Sequence, residues 1–167
     1  MAKQLLLMRH AKSSHDDSSL SDFDRPLNKR GISDVPKMAG WLKEHHLVPD
    51  IVISSSAARA KATAKSLAEN LGAATSEIDF HEDLYLAPPM NYREIMSRLS
   101  AEYERPVFIG HNPGMEGLVQ ELGGKYQVMP TSAIAVFDVE TEDWSSTASD
   151  VSAFTLKAVY RPKEIFV

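Results

Sequence analysis

Short apolar runs alternate with amphipathic segments along the chain. The runs at residues 4–8, 51–54, 107–110, 133–139 and 153–159 predict β-strands. The second and third are apolar throughout, which is typical of strands covered on both faces. The last two alternate more between apolar and polar positions, and we expect them nearer an edge of the sheet.

Helical spacing of apolar residues appears between the predicted strands. Residues 35–42 bring apolar side chains to one face, with Asp34 as the expected N-cap and Pro36 in the first turn. Further helices are predicted over residues 58–71, 92–99 and 115–122, ending near Gly72 and Gly123-Gly124. Strands alternating with helices predict α/β layers around a largely parallel sheet, where ligands gather outside the carboxyl ends of strands.

Composition narrows the class of protein. With 167 residues, we expect one domain spanning residues 1–167. The absence of cysteine excludes a thiolate nucleophile and a disulfide framework. A net charge of −5 argues against nucleic acid or an anionic membrane as a partner. The apolar run before Arg9 is too short for a signal peptide or a membrane span, so a cytoplasmic location is expected.

Basic and imidazole side chains follow three of the predicted strands. Arg9 and His10 end the first, Arg59 follows the second, and His111 follows the third. Because parallel strands present their carboxyl ends at one edge of the sheet, these side chains are expected to lie together. Arginine binds phosphate through a planar fork, so two arginines in an acidic chain predict a local anion site. The helix after His111 would direct N–H groups to the same edge.

The imidazoles indicate what chemistry the bound anion undergoes. Neutral imidazole is a competent nucleophile, and neighbouring arginines favour the neutral form at pH 7. The set therefore suits phosphoryl transfer through a phosphohistidine, with the arginines and second imidazole holding the equatorial oxygens. A docking module that binds phosphate without turnover stays open as an alternative. Metal catalysis is disfavoured, because the six histidines show no H-x-x-x-H or H-E-x-x-H spacing.

Several short segments, in a fixed order along the chain, carry a resemblance to a known family. They are residues 7–13, 24–28, 54–60, 84–85, 110–114 and 130–134, together with Gly31, Thr63 and Ala64. Over about residues 5–137 the chain resembles the histidine phosphatase superfamily, which has the phosphoglycerate-mutase-like fold. Within it, the chain resembles the SixA-type phosphohistidine phosphatases. The superfamily's Arg-His-Gly motif reads Arg9-His10-Ala11 here.

The resemblance implies both an architecture and a set of roles. It implies a three-layer sandwich, with a mostly parallel mixed central sheet, one antiparallel edge strand and helices on both faces. It implies that His10 becomes phosphorylated and that Arg9, Arg59 and His111 bind the phosphoryl group. Ser13, in the first matching segment, is a further expected substrate-binding residue. No metal or other cofactor is expected.

The general acid is the main departure from the family. Many relatives place a Glu or Asp before a Gly-Glu-Gly type sequence, whereas this chain reads Phe80-His81-Glu82-Asp83. Glu82 is the candidate acid, and the alternative is a solvated loop carboxylate. A phosphomonoester gains much from a positioned acid, whereas imidazole leaves readily with a protonated ring nitrogen. The sequence therefore favours a metal-independent phosphatase acting on phosphohistidine in signalling or phosphotransfer proteins.

The length of the chain bears on the substrate. Only residues 72–103 could cover the site, and most of them are used by other predicted elements, so a shallow, open pocket is expected. Such a pocket suits a phosphorylated side chain on another protein. The alternative is a phosphomonoesterase of small metabolites or of phosphoserine-type esters. Mutase activity would require enclosure of the substrate between two transfers, for which the chain looks too short.

Overall fold

Six strands form one central sheet in the computed structural model, which describes residues 2–73 and 75–166. The strands are β1 (Ala2–Arg9), β2 (Ile51–Ser55), β3 (Asp79–His81), β4 (Pro106–Gly110), β5 (Ile134–Glu140) and β6 (Phe154–Tyr160). The helices are α1 (Lys29–Glu44), α2 (Ala58–Asn70), α3 (Pro89–Ser97), α4 (Gly114–Gly123) and α5 (Pro162–Ile165). Short 3₁₀ turns lie at Asp22–Asp24, Thr75–Glu77, Glu82–Leu84 and Ser145–Ala148.

The order of the strands places the candidate residues at one edge of the sheet. The spatial order is β3-β2-β4-β1-β5-β6, with β1 to β4 mutually parallel. β5 runs antiparallel to β1 and to β6, so it is the strand opposed to the rest and lies next to the β6 edge. The predicted mixed α/β sheet is confirmed, and the carboxyl ends of β1, β2 and β4 lie side by side.

Alternating side chains of β1 fill two core layers. Leu5 and Leu7 belong to the layer with α3 and α4, whereas Leu6 and Met8 belong to the layer with α1 and α2. All four side chains have no exposed surface, because helices cover both faces of this central strand. The predicted helices on both faces are therefore confirmed.

The start of α1 differs from the sequence prediction. The helix begins at Lys29, and its N-cap is Asn28, whose side chain accepts a hydrogen bond from the Gly31 N–H at 2.9 Å. The prediction of Asp34 as the cap was wrong: Asp34 lies inside the helix, is buried, and pairs with Arg30. Pro36 also lies inside α1 on an exposed face, where solvent can reach the carbonyl left without its N–H partner.

Two further differences concern short elements. Strand β3 has three residues, too few for a recognisable periodicity, and the apolar pattern did not predict it. Helix α3 begins at Pro89, three residues before the apolar pattern predicted, because proline is well suited to a first helical turn. None of the helices in the described ranges is long and apolar enough to cross a membrane.

Candidate active site

The structure brings together the four side chains that the strand ends predicted. Arg9 is the last residue of β1 and His10 follows it; Arg59 lies in the first turn of α2, and His111 directly follows β4. The rings of His10 and His111 are 5.1 Å apart between centroids, and the Arg59 Nε lies 3.3 Å from His10 Nε2. His10, Arg59 and His111 are all at most 5% exposed.

A backbone carbonyl fixes the tautomer of His10. Its Nδ1 lies 2.7 Å from the carbonyl oxygen of Ala11, which can only accept a hydrogen bond. Nδ1 therefore carries the ring proton, and the lone pair of Nε2 accepts a hydrogen bond from Arg59 Nε. Burial lowers the pKa of His10 to about 3, and the positive charges of Arg59 and Arg9 act in the same direction. At neutral pH the ring is therefore neutral, which is the form of imidazole that can act as a nucleophile.

His111 is oriented by a serine at the end of β2. The Ser55 hydroxyl accepts a hydrogen bond from the Ala57 N–H at 3.2 Å, and its own hydrogen is free for His111 Nε2, 2.8 Å away. When Ser55 donates to Nε2 in this way, the ring proton of neutral His111 lies on Nδ1. Burial lowers the pKa of His111, and with the Arg59 charge acting in the same direction the pKa is about 4. The neutral ring therefore presents an N–H donor.

Arg59 joins His10 to Asp22, which lies in a loop at the surface. Its Nε donates to His10, while its Nη1 donates to the Asp22 carbonyl at 2.6 Å and its Nη2 to the Asp22 carboxylate at 3.0 Å. The two bonds to Asp22 hold the Nη1 and Nη2 atoms, at the end of the guanidinium away from His10. The Nε edge faces His10, where a phosphoryl group on that ring would lie.

Polar atoms without partners cluster around His10. Among the described residues, the buried side-chain atoms that lack a hydrogen bond are Arg9 Nε, His111 Nδ1, Asn112 Oδ1, Ser132 Oγ and Trp41 Nε1. Except for that of Trp41, they all belong to residues at the carboxyl edge of β1 and β4 or in the loop before β5. Of these four atoms at the edge, Arg9 Nε, His111 Nδ1 and Ser132 Oγ can donate. An unpaired buried donor is costly unless a ligand satisfies it. The arrangement therefore fits an anion with several oxygens.

Backbone contacts hold this edge rigid. The Ser132 N–H donates to the carbonyls of Arg9 and His10, at 3.1 Å each, and the Ala11 N–H donates to Thr63 Oγ1 at 3.0 Å. Gly110, the last residue of β4, allows a close approach: a Cβ there would lie 1.9 Å from the Tyr92 hydroxyl. That hydroxyl accepts the N–H of His111 at 3.2 Å. The backbone at His10 and at His111 is thus held by hydrogen bonds from neighbouring elements.

The sequence did not single out the carboxylate that contacts the cluster. Asp22 Oδ2 accepts from Arg59 and from the Tyr85 hydroxyl, and Asp22 Oδ1 accepts from Arg25 Nε at 3.1 Å. The Tyr85 bond, with the Arg59 and Arg25 contacts, lowers the pKa of Asp22 to about 2, although partial burial opposes it. Asp22 lies in a Ser- and Asp-rich loop, where one acid does not stand out in the sequence.

The structure does not bring two of the candidate residues to the cluster. Glu82 is exposed, and its carboxylate forms no hydrogen bond or ion pair with the described residues; only its backbone carbonyl is bonded, to the Tyr85 N–H. Ser13 is buried, but its hydroxyl accepts a hydrogen bond from Arg25 Nη1 and forms none with His10, Arg59 or His111. The roles predicted for Glu82 and Ser13 stay predictions that no direct contact with the cluster supports.

Glu116, in the first turn of α4, is a second carboxylate near the cluster. Its charge raises the pKa of Arg9, whereas burial, the larger effect, lowers it. Its carboxylate accepts the Met129 N–H at 2.8 Å, and the Tyr126 hydroxyl lies 3.3 Å away. It thus supports the loop whose Met129 carbonyl binds Arg9 Nη1. No group of three or more acidic or histidine side chains in the described ranges is arranged to hold a metal ion.

Comparison with known proteins gives the same family as this geometry. Residues 5–110 match the model of the histidine phosphatase superfamily, branch 1. An uncharacterised chloroplastic protein of Arabidopsis thaliana is 31% identical over 152 residues, which cover 86% of this chain and 70% of that protein.

Solved structures share the architecture. The protein histidine phosphatase SixA complexed with tungstate superposes with a TM-score of 0.82 and 25% identity, covering 97% of this chain and 99% of that one. Mycobacterial glucosyl-3-phosphoglycerate phosphatase has the same fold, with a TM-score of 0.71 at 15% identity, covering 95% and 98%. This chain is therefore a phosphatase that belongs to branch 1 of the histidine phosphatase superfamily.

Proposed function

We propose that this phosphatase removes the phosphoryl group from phosphohistidine on proteins, through a covalent intermediate on His10. The observation that carries the proposal is the set of unpaired buried donors around a neutral imidazole. Arg9 Nε, His111 Nδ1 and Ser132 Oγ lack partners in the described structure. Donors arranged in advance around a phosphoryl group stabilise the charge on its equatorial oxygens during transfer.

In the first step, the lone pair of His10 Nε2 forms a bond to phosphorus as the bond from phosphorus to the substrate nitrogen breaks. The electron pair of the broken bond stays on the substrate ring. That ring leaves as neutral imidazole, because its other nitrogen already carries a proton. His10 keeps its proton on Nδ1, bonded to the Ala11 carbonyl, and becomes a cationic phosphohistidine.

In the second step, water attacks phosphorus and the bond from phosphorus to His10 Nε2 breaks. The electron pair returns to Nε2, and both hydrogens of the water leave with phosphate as H₂PO₄⁻. His10 is again neutral with its proton on Nδ1. Arg9, Arg59 and His111 hold the same oxygens in both steps, so one set of donors serves both transfers.

The carboxylates near the site support a P–N substrate rather than an ester. An ester leaving group needs a proton in the transition state. Asp22 contacts the cluster, but its low pKa keeps it ionised at neutral pH. Glu82 is exposed and lies outside the cluster. A protonated imidazole leaving group needs no proton from either residue.

The surface beside the site supports a protein as the carrier of the phosphohistidine. An open depression of about 370 Å³ next to His111 is lined by Leu86, Ala87, Pro88, Pro89, Pro113 and Gly114. Leu86 is 53% exposed. An apolar surface at the mouth can contact a protein around its phosphorylated side chain. The cytoplasmic location expected from the sequence agrees with such a substrate and stays a prediction.

The experiment compares phosphate release from a phosphohistidine protein and from an aryl phosphate, both in EDTA. Wild type is expected to prefer the phosphohistidine protein, and His10→Ala to lose activity on both substrates without loss of fold. His46→Asn, a change at an exposed histidine distant from the cluster, serves as the control. A faster ester reaction would support the small-molecule phosphatase that the glucosyl-3-phosphoglycerate neighbour represents. Full activity of His10→Ala would overturn the mechanism.

A further inference from the structure

An ionised carboxylate, Asp22, lies at the far end of Arg59 from His10. Arg59 extends from His10 Nε2 to Asp22, with its Nε bonded at one end and its Nη2 at the other. In an in-line transfer, the leaving group lies across phosphorus from the nucleophile. The Asp22 side chain is 49% exposed, so it can be reached from outside.

We propose that Asp22 accepts a hydrogen bond from the ring N–H of the departing imidazole and so selects phosphohistidine over phosphate esters. The inference rests on the proposed function and adds a specificity-determining residue to it. The leaving group must then be a cationic hydrogen-bond donor before the P–N bond breaks.

The bonding of Asp22 leaves room for this contact. A carboxylate offers about four acceptor positions. Three are occupied, by Arg25 Nε, Arg59 Nη2 and the Tyr85 hydroxyl. These donors also hold the carboxylate in place from three directions. One acceptor position is left for an incoming N–H.

The charge on Asp22 fits an imidazolium and opposes an ester. Transfer from phosphohistidine releases neutral imidazole only if the second ring nitrogen is protonated. An adjacent carboxylate favours that protonated form. An ester oxygen gains negative charge as it leaves, so the same carboxylate repels it. The surroundings of Asp22 keep its pKa well below neutrality, so it accepts rather than donates.

Tyr85 positions Asp22 against the catalytic cluster. Its hydroxyl bonds Asp22, its ring meets His111 edge-on at 5.4 Å, and Arg59 lies 5.8 Å from its centroid. Phe23 packs against the other side of the ring at 4.9 Å, edge to face. The loop that carries Asp22 is therefore held next to the site by aromatic packing as well as by charge.

The test measures Asp22→Asn on one peptide that carries either phosphohistidine or phosphoserine. The variant keeps the shape of the side chain but loses its charge. We expect kcat/KM for phosphohistidine to fall about tenfold or more, as for loss of a charged hydrogen bond. The phosphoserine reaction should change less than about threefold or become faster, because a repulsive charge is removed.

Asp24→Asn is the matched control. Asp24 lies in the same 3₁₀ turn and bonds Ser21, and it makes no contact with Arg59 among the described residues. Its substitution should leave the ratio of the two rates unchanged. An equal fall on both substrates in Asp22→Asn would reduce Asp22 to a positioning residue for Arg59 and overturn the inference alone. A wild type inactive on phosphohistidine would overturn the proposed function and the inference with it.

Discussion

The two buried histidines should make the fold sensitive to mild acid. A histidine with a lowered pKa in the folded state binds its proton more readily in the unfolded chain. Its contribution to stability is therefore lost as the pH falls through the unfolded value near 6.5, and the loss levels off below the folded value. The pKa is about 3 for His10 and about 4 for His111.

The size of the effect follows from these values. At pH 5 the unfolded chain has protonated each ring, whereas the folded protein has protonated neither to a large extent. From the unfolded pKa near 6.5 down to pH 5 is about 1.5 pH units. At 1.36 kcal/mol per unit, each histidine therefore lowers the free energy of unfolding by about 2 kcal/mol. Between pH 8 and pH 5, His10 and His111 together should cost about 4 kcal/mol of the free energy of unfolding.

Urea unfolding at pH 8 and pH 5 measures this loss, followed by far-UV circular dichroism and by tryptophan fluorescence, to which the fully buried Trp144 contributes. His10→Gln removes one titrating ring, so it should lose about 2 kcal/mol less than wild type over the same interval. His46→Asn is the control and should keep the wild-type difference. Equal pH dependence in wild type and His10→Gln would refute the assignment of a buried neutral imidazole.

Two further substitutions test the supports of the site. Ser55→Ala removes the hydroxyl bonded to His111 Nε2 and to the Ala57 N–H, so kcat should fall about tenfold on every substrate and the free energy of unfolding should fall by about 1–3 kcal/mol; an unchanged kcat would separate Ser55 from catalysis. Gly110→Ala places a Cβ 1.9 Å from the Tyr92 hydroxyl and should lower the free energy of unfolding by about 1–3 kcal/mol in urea. Gly40→Ala, with no atom within 4 Å, should not destabilise, and a stable Gly110→Ala would contradict the packing described for β4.

The cluster of Arg9, His10, Arg59 and His111 could be predicted from the sequence because its residues are tied to strand ends. Buried parallel strands have apolar patterns, so their carboxyl ends are visible in the sequence. Arg9, His10, Arg59 and His111 each follow such a pattern closely. The topological rule for α/β sheets then places them together without any knowledge of side-chain contacts.

The rim of the site, which is the loop around Asp22 and the turn before Tyr85, could not be predicted in the same way. Asp22 reaches Arg59 from a loop 37 residues away in sequence, and no periodicity marks it among neighbouring acids. The sequence indicates Glu82 as a candidate acid only by its place in the chain, and the structure leaves this side chain in solvent. The same 3₁₀ turn brings Tyr85 to Asp22. Ser132, whose hydroxyl is unpaired, has a positive φ of 67°. This backbone conformation is uncommon for serine, so the sequence does not indicate it.

The site thus joins two kinds of structure with different freedom to change. The floor belongs to the central strands, where local opening costs nearly as much as unfolding. The rim belongs to the loop around Asp22 and the turn before Tyr85, both at the surface. Surface loops tolerate substitution and insertion far better than central strands do. Changes in the rim can therefore alter the preference for a leaving group, while the cluster proposed to hold and transfer the phosphoryl group stays unchanged.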